Sequence, residues 1–395
     1  MKFAILLAKG IEGCGVTKYT AELTRWLNQQ GHEYTIMASA DKKFTRNNSH
    51  DLANVKLFKF EKDLDEMIAL VNDHDVVLIN SLPNIRYSDL CIGNFITLLK
   101  TIRTPVILLQ HDHSKTSLSR NRGMTETVAV SRAVLVHSTT NHMAQRVNEP
   151  ATSHFASLFN IDTKPIRYFQ PGFDFDHHRI AVPLSEINTA VHRWVGRPTP
   201  WKGFKQMFEF HEQYLQPAGN ISIMEGIEKS QAFSHLIMPV FNFIDKTVLS
   251  TDSYTPEPGQ PIYLHNKYRN AELMQRLARS GFGYQLSILD AANIEHSLEY
   301  THCEIVCSGT IPVFRRAYGE RCRHSQTNEP LVYGNNGTVW LDETDYADTF
   351  NTIQKINANP ELRLAMREHA FNYYKSHQDS SIVFPKLLAD IQSVL

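Results

Sequence analysis

Phe3-Ala-Ile-Leu-Leu-Ala8 runs into Lys9-Gly-Ile-Glu-Gly-Cys-Gly-Val-Thr-Lys18, and then Val16, Tyr19, Leu23, Trp26 and Leu27 recur on one helical face. An unbroken apolar run is the mark of a parallel strand covered on both faces. The spacing that follows it predicts an amphipathic helix, which Gly31 ends. The same unit returns downstream. Strands are expected at Glu33–Ala38, Asp75–Asn80, Pro105–Leu109 and Ala133–His137. Strands separated by helices make βαβ units and a parallel sheet, so the fold class is α/β and doubly wound.

The rhythm breaks between Glu149 and Ser185, where Pro150, Pro165, Pro171, Pro183 and the polar run Asp174-Phe-Asp-His-His178 fall. A domain boundary is expected near 172–186, dividing the chain into 1–178 and 179–395. The pattern then restarts with a strand at Val191–Val195, a helix over Phe204–Leu215 and a strand at Asn220–Met224. A helical stretch follows at Ser297–Val306, then a strand at Ile311–Phe314. The amphipathic tail from Asp379 to Leu395 is a candidate to pack back on the first domain. Two Rossmann-like halves facing each other across a cleft would bind ligand at the C-terminal ends of their strands.

The chain has 395 residues, 42% hydrophobic and 21% charged, which excludes a disordered protein. No apolar run approaches the roughly 18 residues of a membrane span. Cys14, Cys91, Cys303, Cys307 and Cys322 have no metal-finger spacing and are odd in number, which fits a reducing cytoplasm. Lys and Arg number 40 against 41 Asp and Glu, so a polyanion would need a local basic patch. Lys42, Lys43 and Arg46 form one candidate, and Lys115, Arg120 and Arg122 a second, within a stretch that also holds Arg103 and Arg132. Both follow strands of the first sheet. Contacts of this kind position a phosphate backbone without reading sequence; the plainer reading is a solvated charged face. Phe44, Tyr87 and Met124 are candidate wedges or stacking groups.

Four motifs carry chemistry. Gly10, Gly13 and Gly15 sit between a strand and a helix, where glycine lets a ligand approach and free N–H groups attract anions; the spacing is neither a Walker loop nor a dinucleotide fingerprint. His111-Asp112-His113 follows a strand end, the site position of an α/β sheet. Asp112 could orient or deprotonate a hydroxyl with His111 beside it; joint metal ligation is awkward because successive residues point to opposite sides. Arg193-Trp-Val-Gly-Arg197-Pro-Thr-Pro-Trp-Lys202-Gly-Phe204 carries two cations, Arg197 and Lys202, and cations of this kind stabilise a leaving group that gains negative charge. Glu299-Tyr-Thr-His-Cys-Glu304 puts a carboxylate, Glu304, on a helix, and an ionised carboxylate can accept two hydroxyls side by side. Asp174-Phe-Asp176 imitates a metal-binding pair but falls in the linker and reads as a turn. Glu22, one turn into the first helix, is either a polar group near the acceptor or an exposed helical acid.

Glu304 followed by Cys307-Ser-Gly309-Thr-Ile-Pro312-Val resembles the nucleotide-sugar half of GT-B glycosyltransferases. Together with Gln110-His-Asp-His-Ser114, Trp201-Lys-Gly-Phe204, Met224-Glu-Gly226, Ser280-Gly-Phe-Gly-Tyr-Gln-Leu-Ser287 and Ser297-Leu-Glu-Tyr-Thr-His302, the chain is similar to the DNA α-glucosyltransferases of T-even bacteriophages nearly end to end. The resemblance implies a UDP-sugar donor, glucose or alternatively arabinose, with no metal strictly required. It implies an acceptor of 5-hydroxymethylcytosine in duplex DNA, retention at the anomeric carbon, a flipped base, and a phage enzyme that works as a monomer in host cytoplasm and protects DNA from restriction. The first domain would bind acceptor and DNA, with Asp112, His111 and Glu22 catalytic and Lys18 joining the basic patches. The second would bind the donor through Arg197, Lys202, Glu304, Glu299 and a loop of Gly281, Phe282, Gly283 and Tyr284, aided by Gly15 and Val16. Two departures stand out: Ser280 where the family carries an acid, and His296 where its first glutamate falls. A small-molecule acceptor, or a binding protein with a dead donor site, are the alternatives.

Overall fold

The computed structural model describes residues 1–8, 11, 15–40, 50, 52–83, 88–111, 125, 128–138, 166–168, 170–196, 202–225, 248–250, 263–265, 270–288 and 298–395. The chain divides into two compact units: Met1–Phe173 with Ile294–Ser297 and Ser380–Leu395, and Asp174–Asn293 with Leu298–Asp379. The first division falls between Phe173 and Asp174, five residues before the 178/179 border read from the sequence.

The first unit holds β1 (Lys2–Leu7), α1 (Gly15–Gln29), β2 (Glu33–Ser39), β3 (Val55–Phe58), α2 (Leu64–Asn72), β4 (Val76–Ser81), α3 (Asp89–Thr101), β5 (Val106–Gln110), β6 (Ala133–Ser138) and β7 (Ile166–Tyr168). Its seven strands lie in the order β3-β2-β1-β4-β5-β6-β7. Every pairing is parallel, with Ile5 opposite Ile36 on one side and Leu78 on the other. Hydrophobic continuity explains the central strands: Ile5, Leu6, Leu78 and Ile79 are fully buried, each side chain contributing about 1.5–3 kcal/mol. Ser88 starts α3 by accepting the Cys91 N–H at 3.2 Å, an N-cap typically contributing about 1 kcal/mol.

The second unit repeats the plan with α4 (Phe175–His178), β8 (Asn188–Val195), α5 (Phe204–Phe210, continued by a π-turn over His211–Leu215), β9 (Ile221–Glu225), β10 (Val248–Ser250), β11 (Tyr263–His265), α6 (Asn270–Ala278), β12 (Ser280–Gln285), α7 (Tyr300–Cys307), β13 (Ile311–Arg315), α8 (Arg316–Gly319), β14 (Val339–Leu341), α9 (Tyr346–Asn357) and α10 (Pro360–Gln378). The strand order is β10-β11-β9-β8-β12-β13-β14, again all parallel. Trp194, Phe204, Phe210 and Tyr284 fill its core. Asn359 caps α10, accepting from Leu362 N–H at 3.0 Å, with Pro360 at the first helical position.

The last helix, α11 (Ser380–Gln392), belongs to the first unit. Phe384 meets Tyr19 and Trp26 of α1 with ring centroids 5.7 and 5.8 Å apart. Within the first unit Ser380 N–H donates to Phe173 C=O at 2.9 Å, and within the second Phe175 N–H donates to an Asp379 carboxylate oxygen at 3.3 Å.

Candidate functional site

The chain order reverses between neighbours β1 and β4 in the first unit and between β8 and β12 in the second. Ligand sites of doubly wound sheets form outside the C-terminal ends of such pairs. Both ends carry polar clusters here.

In the second unit the cluster is built by a turn and a strand end. Gly203 has φ of 71°, a left-handed conformation, and a Cβ there would stand 2.1 Å from the Leu286 carbonyl oxygen. Only glycine brings the start of α5 this close to the end of β12. Lys202, just before it, is thereby aimed across that end: its Nζ donates to both carboxylate oxygens of Glu299 and to Ser287 Oγ at 3.3 Å. Gln285, the last residue of β12, donates from Nε2 to Glu299 Oε2 at 2.9 Å and to Ser287 Oγ at 2.7 Å, while its Oε1 accepts from Ser287 N–H at 2.7 Å. Burial by itself would push the Glu299 carboxyl up. The Lys202 charge, His302 and the hydrogen bonds from Lys202 and Ser287 outweigh it and hold the carboxyl below its ordinary value. Glu304 lies buried on α7, the helix whose N-cap position is Glu299. A fixed ammonium and a helix-borne carboxylate, the groups expected from the sequence to meet a diphosphate and a ribose, thus sit on adjoining elements.

Gly281, Phe282, Gly283 and Tyr284 are not a loop. They form the interior of β12, wholly buried. A Cβ on Gly283 would meet Thr310 Cγ2 at 2.7 Å and Ile305 Cγ2 at 2.8 Å, so the glycine there admits α7 and β13 to the sheet. Phe282 stacks on His192 at 4.9 Å, and Tyr284 shares a hydrogen bond with His192 Nδ1 at 2.6 Å. These side chains pack the core, so the expected loop is corrected to a buried strand. Ser280 is corrected too. It opens β12, five residues from Gln285 and so roughly 16 Å from the mouth at about 3.3 Å per residue. There its Oγ accepts from Arg193 Nε at 2.7 Å and donates to Arg276 C=O at 2.8 Å. Both arginines engage the buried Glu225. The Ser280 hydroxyl therefore serves the arginine–glutamate network at the far end of the strand.

In the first unit, Asn80 stands near the end of β4 and His111 just past β5. His111 Nε2 bonds to Asn80 Oδ1. Asn80 Nδ2 donates to Thr20 Oγ1 at 2.6 Å and to Val16 C=O at 3.3 Å, and Thr20 Oγ1 donates to the same carbonyl at 3.1 Å. The Tyr19 ring packs edge-on to His111 with centroids 4.8 Å apart. Gly15 is exposed and Val16 half-buried at the start of α1. Glu22 is only 1% exposed and pairs with Arg25 at 2.8 Å. The exposed-acid alternative for Glu22 is thereby removed. Lys18 is 4% exposed, its Nζ 5.1 Å above the Phe173 ring. An ammonium buried on an aromatic face does not present itself to a surface phosphate, so the DNA contact expected of Lys18 is corrected.

Asp112, Arg197, Lys42, Lys43, Arg46, Lys115, Arg120 and Arg122 lie outside the described residues, as do Phe44, Tyr87, Met124 and His296. Asp174 caps α4, accepting from His177 N–H at 3.0 Å, and Asp176 pairs with Lys375 at 2.6 Å. Among the described residues no group of three or more His, Cys, Asp or Glu side chains could hold a metal, and no helix is long and apolar enough to cross a membrane.

Asn80, Gln285 and Ser287 were not singled out from the sequence. A usable signal existed for the first two: each is a polar residue at the C-terminal end of an otherwise buried parallel strand.

Two doubly wound parallel sheets, the second with a lysine–glutamate pair at its switch point followed by a buried helical glutamate, define a glycosyltransferase of the GT-B class. The family model described as DNA alpha-glucosyltransferase matches residues 14–360. The DNA alpha-glucosyltransferase of Enterobacteria phage T4 is 39% identical over 391 residues, covering 97% of this chain and 98% of that protein. The chain belongs to the DNA alpha-glucosyltransferase family. Among solved structures, an alpha-glucosyltransferase in complex with UDP and a 13-mer DNA containing a HMU base is 36% identical, with a TM-score of 0.89 and 99% of each chain covered. A second, with UDP-glucose and DNA containing an abasic site, gives the same values. A protein of Anabaena, HepE, in complex with UDP and glucose, matches at a TM-score of 0.67 and 15% identity over the whole of both chains; it shares the fold alone.

Proposed function

We propose that this enzyme transfers glucose from UDP-glucose to the hydroxymethyl group of 5-hydroxymethylcytosine in duplex DNA, with retention at the anomeric carbon. The observation that carries the reading is the Lys202–Glu299–Gln285–Ser287 cluster at the mouth of β8 and β12. It holds an ammonium rigidly where a diphosphate would lie. Lys202, with Arg197, neutralises the β-phosphate as the bond to the sugar breaks. Glu304 accepts the two ribose hydroxyls. UDP-glucose and DNA occupy solved relatives that are 36% identical, which supports both substrates.

The target base leaves the helix to reach the site, and Asp112 and His111 receive its hydroxymethyl group. The sugar C1–O bond to phosphate breaks as the hydroxymethyl oxygen bonds to C1 on the same face. The hydroxyl proton passes to the departing phosphate, and no enzyme nucleophile is needed. The product is glucosylated phage DNA in the host cytoplasm, resistant to restriction.

Mass spectrometry of hydroxymethylated duplex DNA incubated with UDP-glucose or UDP-arabinose tests this. A hexose adduct from the first and no pentose adduct from the second is expected. No adduct from either, or an isolated covalent sugar–enzyme species, refutes it.

A further inference from the structure

Asn80 forms a hydrogen-bond chain whose direction is fixed at one end. The Val16 carbonyl can only accept. Asn80 must therefore turn its NH2 toward Val16 C=O and Thr20 Oγ1, which lie 3.3 and 2.6 Å away. Thr20 spends its own hydroxyl proton on that carbonyl at 3.1 Å, and so offers Asn80 only a lone pair. The opposite amide orientation would set Asn80 Oδ1 against the carbonyl oxygen. What faces His111 is then Asn80 Oδ1, an acceptor, and Nε2 of His111 must carry a proton to meet it. In the neutral ring the second nitrogen, Nδ1, is the acceptor. The arrangement is well enclosed: Asn80 is 1% and Thr20 0% exposed, and Tyr19 braces the ring edge-on.

We propose that Asn80 is a positioning residue for glucosyl transfer, locking His111 as the Nε2–H tautomer so that Nδ1 accepts a hydrogen bond from the incoming hydroxyl. This rests on the acceptor role given to His111 above. The bond to Nδ1 turns an oxygen lone pair toward the sugar carbon; as the new C1–O bond forms and the C1–O bond to phosphate breaks, Nδ1 takes the hydroxyl proton and hands it to the departing phosphate. A ring with the proton on Nδ1 would present a donor to the same hydroxyl and point its lone pair at the histidine. Wrong-tautomer histidines are costly for this reason.

The protein labelled with 15N-histidine, with His111→Gln used to assign the signal among its 19 histidines, reports the tautomer directly in long-range 1H–15N spectra. The wild type is expected to show His111 with a slowly exchanging Nε2–H. Asn80→Leu, close in shape, is expected to lose that signal, to lower kcat about 100-fold and to leave the KM for UDP-glucose within about two-fold. A wild-type proton on Nδ1, or an Asn80→Leu enzyme with the wild-type ring signal and kcat, overturns the proposal. If the spectra behave as expected while the wild type glucosylates no DNA, the assigned reaction is wrong and the tautomer lock stands.

Discussion

Replacing Lys202 with methionine keeps the stem and removes the charge that faces Glu299. Breaking one side of a fully buried ion pair costs about 3–5 kcal/mol, and of an exposed one about 0–1. The side chains here are 19% and 34% exposed, and Glu299 keeps its bonds to Gln285 and Ser287 at 2.9 and 3.2 Å. An intermediate loss of about 1–2 kcal/mol at neutral pH is therefore expected. Its pH dependence carries the sharper test. In the wild type the Glu299 carboxyl is held below its ordinary value, although burial pushes it up, chiefly by Lys202. That contribution to stability is complete above the unfolded value of about 4.3 and disappears as pH falls through the folded one. In Lys202→Met the burial is no longer opposed by the ammonium, so the carboxyl rises. The folded variant then binds its proton more tightly than the unfolded chain does, and its deficit grows from about pH 4.3 upward. Urea unfolding at pH 4 and pH 7.5 measures this, with the larger deficit expected at pH 7.5. The double variant Lys202→Met/Glu299→Leu should recover part of the loss. A deficit independent of pH, or larger in acid, would mean that Lys202 does not control the Glu299 charge.

Three further outcomes are expected. Glu304→Ala should weaken UDP binding by roughly 10- to 100-fold, the loss of one or two charge-assisted hydrogen bonds, with DNA gel shifts unchanged; calorimetry showing wild-type UDP affinity removes the ribose assignment. Gly203→Ala forces a left-handed φ of 71° and a carbon 2.1 Å from the Leu286 carbonyl oxygen, and should cost about 2–4 kcal/mol and raise the KM for UDP-glucose as Lys202 shifts; a neutral melting scan refutes the close approach. Asp112→Ala should lower kcat about 100-fold while sparing donor affinity, and wild-type turnover would end its proposed role.

The continuous apolar strands were legible because burial on both faces leaves no polar alternation to misread; Phe3–Ala8 and Ala133–His137 lie within one residue of the observed β1 and β6 at each end. β10 and β11, three residues each, carry too little pattern to announce themselves. Gly281-Phe-Gly283 misled for a physical reason. Glycine normally signals a turn, but here it makes room inside β12 for Thr310 and Ile305, a demand set by elements distant in sequence. Lys202 and Glu304 were legible as types, a cation at a turn and an acid on a helix. The network that fixes Lys202 was not, since Gln285 and Ser287 bond to Glu299 only after β12 and α7 are assembled. Glu22 was ambiguous for the opposite reason: a helical face says which residues share a side and not what covers them.

Helix α11 has a consequence for how the protein is made. Phe3, Leu23, Trp26 and Leu27 share a hydrophobic pocket with Phe384, Leu387 and Ile391. About two hundred residues separate the end of the first sheet from this cover, on the order of ten to forty seconds of synthesis at about 5–20 residues per second. Throughout that interval the nascent amino-terminal half carries an unsealed greasy flank. Its closure waits on α11, so a chain cut before Ser380 is one that holding chaperones should retain.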